Sequence, residues 1–193
     1  MMAVTDTLLD QFLSKYDFSR RYERTINAPL ERVWNALLTT DISSITLIRF
    51  LSFVQRNKSV KHNSDLMGVL RPHGFLELAA RNYQEIVVGA IAKPWHSDGG
   101  VLQRLDGEAF TEFDEPGYVR IAANVMLTPV DRERTRVSTE TRVQALDAMA
   151  MRKFAPYWAM VKHPSTWVRR AILKNLEQRA MQAQSEAKTQ KAA

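Results

Sequence analysis

Four histidines, several strand-borne carboxylates and a scatter of aromatic residues are the groups in this chain that could do chemistry. His62, His73, His96 and His163 stand in separate loop-like or helix-end contexts. No two share the i,i+4 spacing that sets a pair of ring nitrogens on one helical face, and no HExxH occurs, so no metal site is expected. Cysteine is absent, which removes disulfides, thiolate zinc sites, iron–sulfur clusters and a thiol nucleophile together. There is no G-x-S-x-G elbow, P-loop or dinucleotide fingerprint, and Gly99-Gly100, with no Lys-Ser or Lys-Thr after it, reads as a turn. No cofactor is expected.

The carboxylates hold more interest. Glu77, Glu85, Glu108 and Glu140 sit in or beside apolar segments, and burial raises a carboxyl pKa toward the range that suits a general acid or base. Glu85 shares a strand face with Val87, Gly89 and Ile91, which makes it the acid–base candidate. Glu140 lies two residues from Arg142 on one face, the spacing of an outward ion pair. Trp95 follows Lys93-Pro94 in a loop, where an indole can close a cavity mouth. Tyr157 and Trp158 each carry an apolar body and a polar tip. Plain helix packing would use the same two residues.

The elements that must position these groups follow from periodicity. Phe18, Tyr22 and Ile26 alternate with Ser19, Glu23 and Thr25 at strand spacing. Pro29 opens a helix carrying Leu30, Val33, Trp34, Leu37 and Leu38. Ile45 to Phe53 reads as a second apolar helix, and Gln55 to Asp65 as a loop. Candidate strands follow at Phe75 to Ala80, Glu85 to Ile91 and Glu108 to Phe113, the last closed by the Asp114-Glu115-Pro116-Gly117 turn signal. Tyr118 to Leu127 and Arg134 to Val143 alternate cleanly and read as a hairpin. Phe154, Trp158, Val161, Val168, Ile172 and Leu176 trace the apolar stripe of a long helix, with a start near Pro156 or a kink at Pro164 expected.

Composition agrees with one soluble globular domain: 193 residues, 45% hydrophobic and 25% charged. The domain is expected over residues 17–181. Residues 1–16 form an extension with a short amphipathic helix (Leu8, Leu9, Phe12, Leu13) after Thr5 or Asp6, either packed or loose. Residues 182–193 carry no large apolar side chain and form a disordered tail. No apolar run reaches the roughly 20 residues of a membrane span, and the acidic start is unlike a secretory signal, so a cytoplasmic protein is expected. The net charge of +6 is the balance of −2 up to Asp131 and +8 after it. No Lys/Arg run of nucleic-acid type occurs, and no nucleic acid partner is expected.

The order β-α-α-β(n)-α resembles the START-like, polyketide-cyclase-like and Bet v 1-like (SRPBCC) helix-grip superfamily over about Asp17 to Met181. Three stretches carry the resemblance: Tyr22-Glu23-Arg24-Thr25-Ile26-Asn27-Ala28-Pro29-Leu30-Glu31-Arg32-Val33-Trp34, the strand Thr135 to Val143, and the terminal helix with Tyr157-Trp158, Pro164-Ser165 and Arg169-Arg170. The resemblance implies an α+β fold in which a curved antiparallel sheet wraps a long C-terminal helix around a cavity, with two short helices after the first strand. Members bind sterols, lipids, plant hormones or polyketides, and some catalyse cyclisation, dehydration or hydrolysis. It implies here a cavity lined by Glu85, Trp95, Phe110, Ile121, Ala123, Thr139, Thr141, Tyr157, Trp158 and Val161, holding a small hydrophobic or amphipathic molecule. Two other readings stay open: a cyclase-, dehydratase- or hydrolase-type enzyme using Glu85, and an interaction protein with a collapsed cavity that binds an acidic partner or membrane surface through Arg169, Arg170, Lys174 and Arg179.

Overall fold

Alternation in the strands decides the architecture, because it gives the sheet two faces that different helices cover. The structure is a computed structural model describing residues 7–39, 67, 70, 71, 74–96 and 106–191, with side chains of 162–169 and 183–191 outside the description. Among the described residues the elements run α1 (Leu8–Phe12), β1 (Phe18–Ile26), α2 (Leu30–Thr39), β2 (Leu76–Arg81), β3 (Glu85–Ala92), α3 (Gly107–Glu112), β4 (Val119–Pro129), β5 (Thr135–Ala145) and α4 (Ala148–Lys191). The five strands form one antiparallel sheet in the order β1-β5-β4-β3-β2. With the long C-terminal helix against it, this is the α+β helix-grip arrangement. The expected second helix, Ile45 to Phe53, and the loop after it lie outside the described residues.

The inner face, toward α4, carries Ile86, Val88 and Ala90 of β3, Val119 to Leu127 at odd positions of β4, Thr135 to Val143 at odd positions of β5, and Phe18, Arg20, Tyr22, Arg24 and Ile26 of β1. Two apolar clusters form there. One joins Ile26, Val33, Trp34, Leu127 and Val137 to Leu173, Leu176 and Ala180 of α4. The other joins Val119 and Val143 to Ala150 and Phe154 at the start of α4. Pro29 starts α2 as expected, its carbonyl accepting from the Arg32 and Val33 amides, and α2 buries Val33, Trp34, Ala36 and Leu37.

The outer face is covered too. Leu8, Leu9 and Leu13 pack on Val87, Ile91, Ala122 and Phe110, so every residue of β3 is buried. The segment before β1 is therefore a packed helix, capped by Thr7 instead of Thr5 or Asp6.

Three expectations need correction. Glu108 to Phe113 forms α3, not a strand. Asp106 caps it by accepting from the Ala109 amide at 2.8 Å, and a six-residue apolar stretch gives periodicity too little length to separate helix from strand. Helix α4 starts at Ala148, well before Pro156, because Asp147 accepts from the Ala150 amide at 2.6 Å and ties the Gly117 turn to the helix start. Its backbone is helical through Pro164 and on to Lys191, past the expected tail boundary. The Ala, Gln, Glu and Lys of that stretch are good helix formers without an apolar face.

Candidate functional site

On the outer face the apolar cluster under α1 is bordered by a set of linked polar groups. Glu85, 3% exposed, accepts from the Leu8 amide at 2.7 Å, the Leu9 amide at 3.3 Å and the Asn124 side-chain amide at 2.7 Å. It thus neutralises the open amides at the start of α1, where a carboxylate also meets the positive end of the helix. Asn124 in turn accepts from the Glu140 amide. Arg142 donates to Glu140 at 2.8 Å, to Asp10 at 2.6 Å and to the Leu13 carbonyl at 3.0 Å. Asp10 and Thr7 close a capping box on each other. Burial pushes the Asp10 carboxyl up, but the bonds from Thr7 and Arg142 outweigh it and hold the group below its ordinary value. Arg142, which burial would make a weaker base, is held charged by Glu140 and Asp10. Arg120 fastens α3 to the same face, donating to the Thr111 carbonyl at 2.6 Å.

This geometry corrects two expectations. Glu85 keeps company with Val87, Gly89 and Ile91 as its spacing implied, but their face lies under α1, away from α4. Phe110 is fully buried in the same outer cluster. Neither lines a space between the sheet and the C-terminal helix. The Glu85 carboxylate, on the outer face and holding three donors from α1 and Asn124, serves α1.

The inner face brings the other sequence-selected residues together. Ile121 lies opposite Val143, Ala123 opposite Thr141, and Val125 opposite Thr139. Ile121, Ala123, Val125, Thr139 and Thr141 are only half-buried, although they occupy the middle of the two central strands under a helix. Ala123 and Val125 pack against the first apolar cluster and Ile121 against the second. Tyr157 and Trp158 flank this strip from α4, packed with Phe154 and Phe18, and Val161 is buried on the same helix. Burial pushes the Tyr157 phenol up to about 12, so it stays a neutral hydroxyl across the physiological range. Trp95 follows β3, its ring edge-on to Phe154 and its indole N–H buried without an acceptor.

Sequence reading passed over β1. Phe18, Tyr22 and Ile26 were noted as apolar positions, yet Arg20 and Arg24 share their parity and face the same side. Arg20 lies opposite Thr141 and Tyr22 opposite Thr139. Arg24 donates to Glu177 of α4 at 2.5 Å, and the Arg170 guanidinium sits 5.6 Å from the centre of the Tyr22 ring. The signal was present in the strand's own alternation.

Among the described residues no three His, Asp or Glu side chains gather as a metal site, and no helix is long and apolar enough to cross a membrane. His96 is exposed, and the side chains of His62, His73 and His163 lie outside the described residues.

No family model and no curated protein matches this sequence. Solved structures do. Norcoclaurine synthase from Thalictrum flavum, in complex with dopamine and hydroxybenzaldehyde, aligns over 94% of this chain and 96% of its own at 8% identity and a TM-score of 0.45. A conserved protein from Geobacillus kaustophilus aligns over 86% of this chain and 97% of its own, at 10% identity and a TM-score of 0.43. The di-domain ARO/CYC BexL of the BE-7585A biosynthetic pathway aligns over 86% of this chain and 47% of its own, at 13% identity and a TM-score of 0.34. The likeness in each case is one of fold.

Proposed function

We propose that this protein binds a small apolar or amphipathic molecule between the inner face of the sheet and α4. The observation that carries the reading is the half-buried strip of Ile121, Ala123, Val125, Thr139 and Thr141. Central strands beneath a helix ordinarily bury such a face completely, because packed interiors hold few voids. Binding sites are apolar concavities with a few well-placed polar groups, and the small side chain of Ala123 stands in the middle of this strip. Thr139, Thr141 and the neutral Tyr157 hydroxyl supply those groups, with Trp158 and Trp95 as flanking rings. The cysteine-free sequence suits a reducing compartment, so we propose a cytoplasmic setting.

Acid–base catalysis by Glu85 finds no support in this arrangement, since its oxygens are taken by α1 and Asn124. Native mass spectrometry of the gently purified protein tests the binding reading. A stoichiometric apolar or amphipathic passenger, released on denaturation and reduced in Trp158→Ala, is the expected result. A bare chain that also fails to take up N-phenyl-1-naphthylamine, a neutral apolar dye, would overturn it.

A further inference from the structure

Among the described residues, buried side-chain nitrogens without an acceptor occur at Arg24 Nε, Arg32 Nη1, Trp95 Nε1 and Arg120 Nε. A guanidinium has five N–H donors, so one idle nitrogen leaves it others. Arg24 uses another on Glu177, and Arg120 another on the Thr111 carbonyl. An indole has a single donor and no acceptor. Trp95 is therefore the residue whose whole hydrogen-bonding capacity is taken out of water and left unused, a cost that folded chains seldom carry without a partner to meet it.

A second unused donor stands on the same side of Phe154. Trp95 follows β3 and packs on the cluster of Val119, Val143, Ala150 and Phe154, against which Ile121 of the half-buried strip also packs. Its ring lies 6.5 Å from that of Phe154. Tyr157 and Trp158, three and four residues beyond Phe154, diverge by about 100° around the helix axis. Trp158 turns toward β1, with its ring 5.8 Å from Phe18. Tyr157 therefore takes the other side of Phe154, 5.6 Å from its ring, toward β3 and Trp95. Among the described residues no hydrogen bond reaches the Tyr157 hydroxyl, and burial alone pushes its pKa up. Lys93, two residues before Trp95, stands over the Tyr118 ring of the outer cluster. An anion in these apolar surroundings would give up its hydration for two uncharged donors, whereas a carbonyl oxygen, with two lone pairs, matches them.

We infer that the molecule bound on this face is an uncharged carbonyl compound, a ketone, ester or amide on an apolar frame, whose oxygen accepts from the Trp95 indole N–H and the Tyr157 hydroxyl. This rests on the binding site proposed above, and gives that site a ligand class and two residues that determine specificity.

A matched pair of dyes separates the two statements. Prodan is an uncharged aminonaphthalene ketone, and its propyl analogue carries a methylene in place of the carbonyl. The expected result is saturable binding of both, with bound Prodan emitting at longer wavelength than in cyclohexane, as a hydrogen-bonded ketone does. The ratio of the two affinities cancels whatever a substitution does to the apolar walls. Trp95→Phe and Tyr157→Phe each delete one donor and keep a ring. Each should lower that ratio about fivefold, the order that one neutral hydrogen bond allows, and move the bound emission to shorter wavelength. Saturable binding of the propyl analogue shows that a variant is folded, and the emission of Prodan on the unsubstituted protein needs no variant. A ratio that either substitution leaves within about twofold of the parent value would overturn the carbonyl class while leaving the site. So would cyclohexane-like emission from Prodan on the unsubstituted protein, or binding of the propyl analogue alone. Failure of both dyes to bind saturably would overturn the site and this inference with it.

Discussion

The two faces of the sheet are covered by helices to opposite effect. Outside, a five-residue helix with little stability of its own is held by a closed set of buried bonds from Glu85, Asn124, Arg142 and Asp10. Inside, a helix of 44 residues lies over the same strands, whose central residues Ile121, Ala123, Val125, Thr139 and Thr141 are half-buried. Polar groups on the outer face are spent on one another and on the α1 backbone. On the inner face Thr139 and the Tyr157 side chain are half-buried beside the half-buried Ile121, Ala123 and Val125. A buried polar group that is satisfied fixes structure.

The sharpest way to break this contrast is Arg142→Ala, which strips both Asp10 and Glu140 of a buried partner. Removing one side of a buried ion pair costs about 3–5 kcal/mol, and urea unfolding should show a loss of that order. A loss under about 1 kcal/mol would mean that the outer network is ornamental. Glu85→Gln keeps the shape but turns an acceptor into a donor facing amides, and should cost about 1–3 kcal/mol with faster hydrogen exchange confined to α1. Packing sharpens the same comparison. A Cβ added at Gly89 would lie 2.5 Å from Leu78 and 2.9 Å from Phe110, so Gly89→Ala should cost about 1–3 kcal/mol by overpacking. Ala123→Leu, a larger addition on the inner strip, should cost less than Gly89→Ala and abolish uptake of N-phenyl-1-naphthylamine. The reverse order of stabilities would show the inner strip to be the tighter packed. The smallest effects lie at the extremes of pH. Asp10 titrates below its ordinary 3.8 in the folded protein, so its contribution is complete above pH 3.8 and is lost as pH falls through the folded value. Tyr157 titrates at about 12 in place of 10, so its contribution is complete below pH 10 and is lost as pH rises toward 12. Asp10→Asn should flatten the acid limb of urea midpoints, and Tyr157→Phe the alkaline limb.

Much of the frame was legible because strand alternation survives in sequence. Val119 to Leu127 and Thr135 to Val143 stood out, and Pro29 marked the start of α2. The outer face was illegible for a specific reason. In β3 both parities are apolar, Ile86, Val88 and Ala90 against Val87 and Ile91, so alternation groups Glu85 with its neighbours without saying which helix they meet. That depends on α1, whose partners are far along the chain. Helix α3 misled because one aromatic residue, Phe110, serves a six-residue helix and a short strand equally well. Arg20 and Arg24 were overlooked although their parity matched Phe18 and Tyr22; basic residues in an edge strand are more often solvated or placed to block pairing.

The bonds that fasten α1 span long stretches of sequence: 77 residues from Leu8 to Glu85, and 132 from Asp10 to Arg142. On a ribosome the α1 segment is made early, yet its last anchor emerges only with β5. Leu8, Leu9 and Leu13 have no surface to cover until β3, α3 and β4 are made, and closing so long a loop has an entropic cost that native contacts offset only afterwards. Docking of α1 is therefore a late event in folding. Weakening its anchors should leave the folding rate nearly unchanged and accelerate unfolding, which makes this short helix a determinant of the native state's lifetime.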